Sequence, residues 1–592
     1  MVLGSCDKIL DQESPSSFDD ATVYSNYALA EQTIFSIHIA FGEQNSYRGR
    51  FLPWYGFNTD IEWYNSAKSG DQDKTGIASY DCLANNQQLG QEKNPYADMY
   101  SAIERANLTL AGLKEYGNID EDADMAYLYA ETLTLRAMLY YDLIKAWGDV
   151  PARFEPLNSE TMYIPKSSRD VIFNRILSDL DDAIPNLPYP GTTSTTKTVD
   201  RVNKCFAEGL YARIALAASG YALRPADGKV GTGDLGSVRL SSDSNLSKET
   251  LYPKALAYLK DAINSGYCSL ESDFETLWRN VNNFDLAAGK ELLFCIPFGD
   301  TDSKVRGRWN YTFAVKNENA SIFGYTFNQG GTAGPTPNFW FKFAEGDSRR
   351  DISCVNWKWV KSTGLQEPAG INTWYFGKFR FDWMSKHPYN GGNDDGVKPV
   401  VMRYADVLLM AAEIANELGD LQTAKDCFLQ VRSRAFKGNE NLAERFVSGI
   451  VSKDDMFNAI VDERAFEFCG EFLRKADLIR WNMLGSKIEE TKADLTALSE
   501  LSGDYSYLTG NIWWKENDNE DGLVIWGLGP NETGSPEGKD WNQESGYIST
   551  SKLKEDKIGW LASGDPDAKQ FWPIFDYILN NSQGSIKNDY GY

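Results

Sequence analysis

Residues 131–151 read ETLTLRAMLYYDLIKAWGDVP, and their spacing decides the fold class. Leu133, Ala137, Tyr140, Ile144 and Trp147 recur at steps of four and three, which puts them on one face of an α-helix. The stripe stops at Gly148, with Pro151 just beyond, and both residue types end helices. The stretch therefore reads as a single buried amphipathic helix.

The helical signal extends outward from this stretch, from about Tyr96 to Ser219. A second helix, roughly Val202 to Ser219, carries Phe206, Leu210, Ile214 and Ala217 on one side. Its Ala207, Gly209, Ala212 and Ala215 let a neighbouring helix approach closely. Tyr252-Pro253-Lys254-Ala255 opens a third helix with proline near its first turn, and Leu259 and Ile263 continue it to Gly266. Tyr404 to Leu418 begins a pair: Gly419 ends the first helix, Asp420 can cap the next, and Ala424 and Phe428 face back. Such units resemble tetratricopeptide repeats, but their spacing is not a regular ~34 residues. The expected fold is mainly α, a superhelical scaffold of tetratricopeptide-like helix pairs with long loop insertions.

The insertions are aperiodic or rich in Gly, Ser and Thr: Gly191 to Lys197, about Pro225 to Lys248, Arg306 to Lys398, and Leu501 to Trp560. Loops this long inside a compact protein are usually functional or disordered. Two stand out for their rings. Tyr47 to Asn65 holds Phe51, Trp54, Tyr55, Phe57, Trp63 and Tyr64. Trp309 to Trp383 holds Phe323, Tyr325, Phe339, Trp340, Trp357, Trp359, Trp374 and Tyr375. With aromatics at 13% of the chain, more than a core of this size requires, recognition is expected in these loops.

Composition narrows the function classes. A chain of 592 residues buries a large core without disulfides or metals. A net charge of −25 repels phosphate backbones, which argues against nucleic acid as a partner. The eight cysteines form no CxxC pair and read as small buried hydrophobes. Two histidines, His38 and His387, are too few for a multi-imidazole zinc site and leave little for a Ser-His-Asp triad, so both read as structural. No run of about 18 apolar residues is present to span a membrane. Leu3-Gly4-Ser5-Cys6 fits a bacterial lipobox, which would make Cys6 the lipidated first residue of the mature protein. The segment before Cys6 is shorter than the ~7–15-residue apolar core of a secretion signal, so a shortened start is expected.

Five segments, in order, resemble one family. Ile460-Val461-Asp462-Glu463-Arg464 with Glu467-Phe468, Glu471, Arg474, Asp477-Leu478 and Arg480-Trp481 looks like the signature helix of SusD/RagB outer-membrane proteins. Glu131 to Pro151, with Trp147-Gly148-Asp149-Val150-Pro151, looks like the family's long N-terminal helix and its stop. Arg403-Tyr404-Ala405-Asp406-Val407 with Ala412-Glu413, and Pro335-Thr336-Pro337 with Asp347-Ser348-Arg349-Arg350, match two further motifs. The close, Trp572-Pro573-Ile574 to Asn588-Asp589-Tyr590-Gly591-Tyr592, resembles the family's tail, although Phe575 and Asn588-Asp589 depart from it.

The resemblance implies four tetratricopeptide-like pairs in a protein lipid-anchored outside the outer membrane. It also implies non-catalytic binding of oligosaccharides and their delivery to a SusC-like TonB-dependent transporter. Residues 1–20 would be the lipoprotein N-terminus and tether, and 21–592 a single SusD-like domain. Within it the helical scaffold spans about 96–300 and 399–490, the aromatic insertions about 45–70 and 301–398, and a loop-rich C-terminal region 491–592. The alternatives are a peptide ligand, as in the RagB-like branch, and a glycoside hydrolase with a carboxylate pair.

A neutral sugar offers an apolar C–H face and a rim of hydroxyls, so its binder needs aromatic platforms beside planar polar groups. Asn58, Asp60, Glu62, Trp63 and Tyr64 combine both and are the first expected contacts; Trp309, Asn310, Tyr325 and Trp340 are the second set. In the charged 463–480 segment, Glu467 and Glu471 lie three residues from Arg464 and Arg474, which suggests ion pairs rather than a catalytic acid. Asp60 and Glu62 are the better hydrolase candidates. No cofactor is expected. Asp394-Asp395 would permit Ca²⁺ but lacks EF-hand spacing.

Overall fold

The computed structural model describes residues 19–43, 45–299, 307–318, 320–323, 329–385, 394–517 and 522–592. Eight helices form the scaffold, and each packs on the next in chain order: Tyr27–His38, Pro95–Tyr116, Ala123–Trp147, Arg169–Ala183, Lys204–Ala218, Lys248–Asn264, Tyr404–Glu417 and Leu421–Ala435. They make four successive helix pairs, as tetratricopeptide-like architecture requires, with an insertion of well over a hundred residues before the fourth pair. The scaffold begins earlier than the sequence suggested, because Tyr27–His38 is the first partner of Pro95–Tyr116. Helix also extends further, since Leu484–Glu500 runs past residue 490.

Local chemistry explains where these helices start. Asn26, Asn94, Asp122, Ser168, Asn203, Ser247 and Asp420 each accept a backbone N–H from the first turn they precede. Such a cap contributes about 1 kcal/mol. The helix of the 131–151 stretch ends at Gly148, whose φ of 72° is the conformation glycine adopts most readily. Gly209 works by size: a Cβ there would lie 2.3 Å from Sδ of Met402, so any larger residue would force that side chain to move. Pro253 corrects the sequence reading. Ser247 caps this helix, so proline stands inside it, one turn later than expected. The carbonyl left without its donor is that of Glu249, which is exposed to water.

Short antiparallel strands fasten the insertions to the scaffold. Glu62–Tyr64 pairs with Ala333–Pro335, joining the two aromatic insertions. Leu292–Cys295 pairs with Val400–Arg403, and Trp357–Trp359 with Gln366–Pro368. A three-stranded sheet is ordered Leu523–Trp526, Ile512–Glu516, Asn542–Glu544. One continuous hydrophobic cluster runs from Tyr24 to Tyr590 beneath all of this. Among the described residues no helix is long and apolar enough to cross a membrane.

The helix Lys453–Phe468 carries a buried ionic cluster. Glu463 takes Arg349 at 2.7 Å and Arg432 at 2.6 Å. Glu467 takes Arg349 at 2.9 Å and Arg403 at 2.6 Å, and also pairs with Arg434. Glu471 takes Lys378 at 2.6 Å and Arg403 at 2.9 Å. Burial pushes the Glu467 carboxyl up, but Arg434, Arg403 and Arg349 outweigh it and hold the group well below the usual carboxylate range. Ion pairing was expected here, but with other partners: Arg464 binds Asp406 and Asp477, and Arg474 binds Asp60. The cluster thus ties the Asp347–Arg349 turn of the large insertion to three scaffold segments.

The tail is fixed similarly. Asp589 accepts from Lys166 Nζ at 2.7 Å and from the backbone N–H groups of Gly231, Thr232 and Gly233. The Tyr590 hydroxyl donates to Asp149, directly after the Gly148 helix stop.

Candidate functional site

The large insertion folds around a solvent-open cleft of about 780 Å³. One side is the insertion itself, from Trp340 to Trp383; a second is the helix Phe274–Asn282; the third is the sheet edge from Leu523 to Leu528. Trp340 is half-buried at the mouth, while Trp357 and Trp383 lie deeper, 5% and 4% exposed.

Guanidiniums lie against these rings. Arg350 sits 4.4 Å from the ring centre of Trp340. Arg380 is 4.8 Å from that of Trp357 and 4.6 Å from that of Trp383, and Arg279 is 4.5 Å from Trp383. Each guanidinium also has its own carboxylate. Arg350 binds Asp351 through two nitrogens at 3.0 and 2.9 Å, Arg279 binds Glu275 at 2.5 Å, and Arg380 binds Asp382. Asp351 further accepts the indole N–H of Trp340 at 3.1 Å, which fixes that ring's orientation. The cleft therefore presents ring surface, N–H donors and carboxylate acceptors with the charges paired off locally.

Of the residues expected from sequence to contact ligand, the structure brings Trp340 to this cleft. The N-terminal group is a correction, because all five side chains are interior. Asn58 accepts the Tyr64 N–H at 2.8 Å and donates to the Trp560 carbonyl at 2.8 Å. Asp60 is held below its ordinary range: burial pushes it up, but the two-pronged bond to Arg474 at 2.8 and 2.6 Å outweighs that. Glu62 is fully buried; one oxygen accepts the Gly470 N–H at 2.9 Å, the other has no partner, and burial pushes its pKa up to about 8. Trp63 is 1% exposed under the Lys557 ammonium, and Tyr64 packs on Trp54. Pairing of Glu62–Tyr64 with Ala333–Pro335 is what draws this loop inward.

Trp309 and Asn310 are likewise interior. Trp309 packs on Phe313 and Phe472, and Asn310 donates to Asn282 at 2.9 Å. Tyr325, His387 and Cys6 lie outside the described residues. His38 is half-buried, its ring edge-on to those of Phe35 and Phe41. Asp394 is paired with Arg48 and Arg308. Asp395 accepts the N–H groups of Tyr311 and Val397, and burial pushes its pKa up to about 7. These partners occupy the oxygens a Ca²⁺ ion would need.

Sequence reasoning missed Glu275, Arg279 and the sheet edge. The first two carried a faint signal, an acid and a base four apart at the helix surface. Nothing local distinguishes Leu523–Leu528 from any exposed hairpin.

Comparison with known proteins bears on this geometry. A model of the SusD family matches residues 306–592, and a second, described as starch-binding and associating with the outer membrane, matches residues 8–216. SusD-like protein P25 of Formosa agariphila is 24% identical over 508 residues, covering 82% of this chain and 89% of that protein. A SusD homolog from Bacteroides thetaiotaomicron superposes with a TM-score of 0.67 at 20% identity, over 82% of this chain and 91% of that one. Surface glycan-binding protein A from the same organism, solved with laminarihexaose, gives 0.62 at 16% identity, over 95% and 99%. With two SusD-type models matching most of its length and the helix-pair fold shared, the chain belongs to the SusD/RagB family.

Proposed function

We propose that this protein is a non-catalytic receptor that holds oligosaccharides in the Trp340–Trp357–Trp383 cleft. It then delivers them to a SusC-like TonB-dependent transporter while lipid-anchored through Cys6 at the outer-membrane surface. The observation that carries the binding step is the lining: ring surface interleaved with guanidinium–carboxylate pairs. Rings match the C–H faces of sugars, and fixed planar donors and acceptors match their hydroxyls. A relative of the same fold solved with laminarihexaose supports a glycan as ligand. Glu275, Asp351 and Asp382 each accept from a neighbouring guanidinium, which supports binding rather than a hydrolytic carboxyl pair.

The test is affinity electrophoresis against host, plant and microbial glycans, with the same mixtures assayed for new reducing ends. Retardation by one glycan class without products is the expected result. New reducing ends would replace this reading with a hydrolase, and retardation by peptides alone with a peptide receptor. Delivery is checked separately, by co-purification of a TonB-dependent transporter with the membrane-anchored protein.

A further inference from the structure

A second cavity, of about 540 Å³, opens on a different part of the scaffold. Its floor is the first half of the helix Pro95–Tyr116, one rim is the 151–163 loop, and the other is the segment around Ile578 and Ile586 near the C-terminus. None of its lining residues is shared with the cleft described above.

The lining combines ring and apolar surface with polar atoms that have nothing to bond. Tyr96 and Tyr100 form the floor, and Leu157, Met162 and Tyr163 stand at the rim, 44%, 50% and 43% exposed. Tyr100 donates its hydroxyl to the Pro151 carbonyl at 2.7 Å. The Tyr96 hydroxyl, in a residue only 3% exposed, has the Tyr100 oxygen near it but makes no hydrogen bond of proper geometry. Glu104 accepts the Leu157 N–H with one oxygen at 2.9 Å, and its other oxygen is buried without a partner.

The rim is built rather than loose. Asn107 donates to the carbonyls of Arg153 and Glu155, and the Arg153 N–H donates to the Tyr140 hydroxyl at 2.7 Å. The two arginines of the lining are engaged with main chain: Arg105 with the Ser36 carbonyl, Arg153 with those of Thr161 and Met162.

We propose that this groove is a second saccharide site, taking a short, uncharged, hydroxyl-bearing segment of glycan. A purely hydrocarbon ligand would leave the Tyr96 hydroxyl and the second Glu104 oxygen unpartnered, as they are in the empty groove, so their burial would stay uncompensated. An anionic ligand would be set against the Glu104 carboxylate in the lining. A sugar supplies an apolar face for the tyrosines and O–H donors for the free carboxylate oxygen, and the volume lies in the range of small-ligand pockets. Two sites on one chain would raise affinity for polymer above that for short oligosaccharide.

The experiment is calorimetric titration of the full chain with laminarihexaose, cellohexaose and maltohexaose. It compares wild type, Trp340→Ala, and the groove variants Met162→Ala/Tyr163→Ala and Glu104→Gln. The expected result is two sites in wild type, one of which survives in Trp340→Ala while the other is weakened at least tenfold in either groove variant. The rim substitutions remove half-exposed side chains, so an unchanged Tm accompanies the loss. A single site indifferent to both groove variants overturns the proposal. So does a neutral apolar fluorophore, N-phenyl-1-naphthylamine, that binds through Met162 and Tyr163 and is displaced by none of the three sugars. Loss of the groove site alone leaves the cleft reading standing; loss of the Trp340-dependent site alone does the reverse.

Discussion

Trp340 stands half-buried at the cleft mouth, its indole N–H bonded to Asp351 and its ring under Arg350. Truncation to alanine removes ring surface at the mouth together with a partly buried ring that packs against the core. Trp340→Ala is expected to weaken glycan binding about tenfold, roughly 1.4 kcal/mol, with a modest fall in Tm, as calorimetry and thermal melts will show. Glu62 tests the opposite case, a polar residue held inside. Its pKa of about 8 when folded exceeds the ordinary carboxylate value, so the native state keeps a proton that the unfolded chain loses. Its contribution to stability is therefore full below about pH 4.5 and is lost as pH rises toward 8. Glu62→Gln is expected to gain on wild type across that window, by more than about 1 kcal/mol in denaturant titrations at pH 8 relative to pH 5. At this scale the sequence was least legible. A ring beside an amide or carboxylate describes a sugar platform and an aromatic core equally well. Asn58 to Tyr64 proved to be the second, because strand pairing with residues far along the chain decides which way they face.

Elements were far more legible, because a helix announces itself within a few turns. The stripe from Leu133 to Trp147, the Gly419 stop and the Asp420 cap all stand where the sequence put them. What could not be read is which helix binds which. Glu467 finds Arg349 across 118 residues rather than Arg464 one turn away. Substituting Glu467 by alanine takes one buried carboxylate away from three guanidiniums at once, leaving Arg349, Arg403 and Arg434 to share Asp347, Glu463, Glu471 and Glu291. The expected loss is about 3–5 kcal/mol, measured by chemical denaturation. Gly334→Ala should be comparably disruptive, since a Cβ there would lie 1.8 Å from the Trp374 carbonyl oxygen, and a fall in Tm or in soluble yield would show it. Proline 253 marks the limit of local rules: a cap one turn upstream moved the helix start past it.

For the whole molecule, the net charge of −25 invites an electrostatic account of ligand capture, but the cleft lining is paired off locally. Neutral oligosaccharides should therefore bind with an affinity that changes less than about twofold between roughly 50 and 500 mM NaCl. A steep loss with salt would point instead to an acidic ligand meeting unpaired guanidiniums. The count of four helix pairs came from the family resemblance; periodicity alone showed later helices but not Tyr27–His38, whose partner Pro95–Tyr116 lies far along the chain. The distance between the third and fourth pairs was readable only as a long insertion, whose internal shape depends on contacts spread over the entire chain.

Arg349 and Arg350 are neighbours in the chain with unrelated duties. The first is locked among Asp347, Glu463 and Glu467 with no exposed surface, and the second leans on Trp340 in the open cleft. The boundary between mounting and tool thus falls between two consecutive residues. Arg350 and Asp351, at the open side of the cleft, lie outside the buried plug that seats it, whereas Trp357, Lys378 and Trp383 further along are part of the interior. An engineer wishing to reshape this cleft has a socket already machined, and can begin with what stands at its open side.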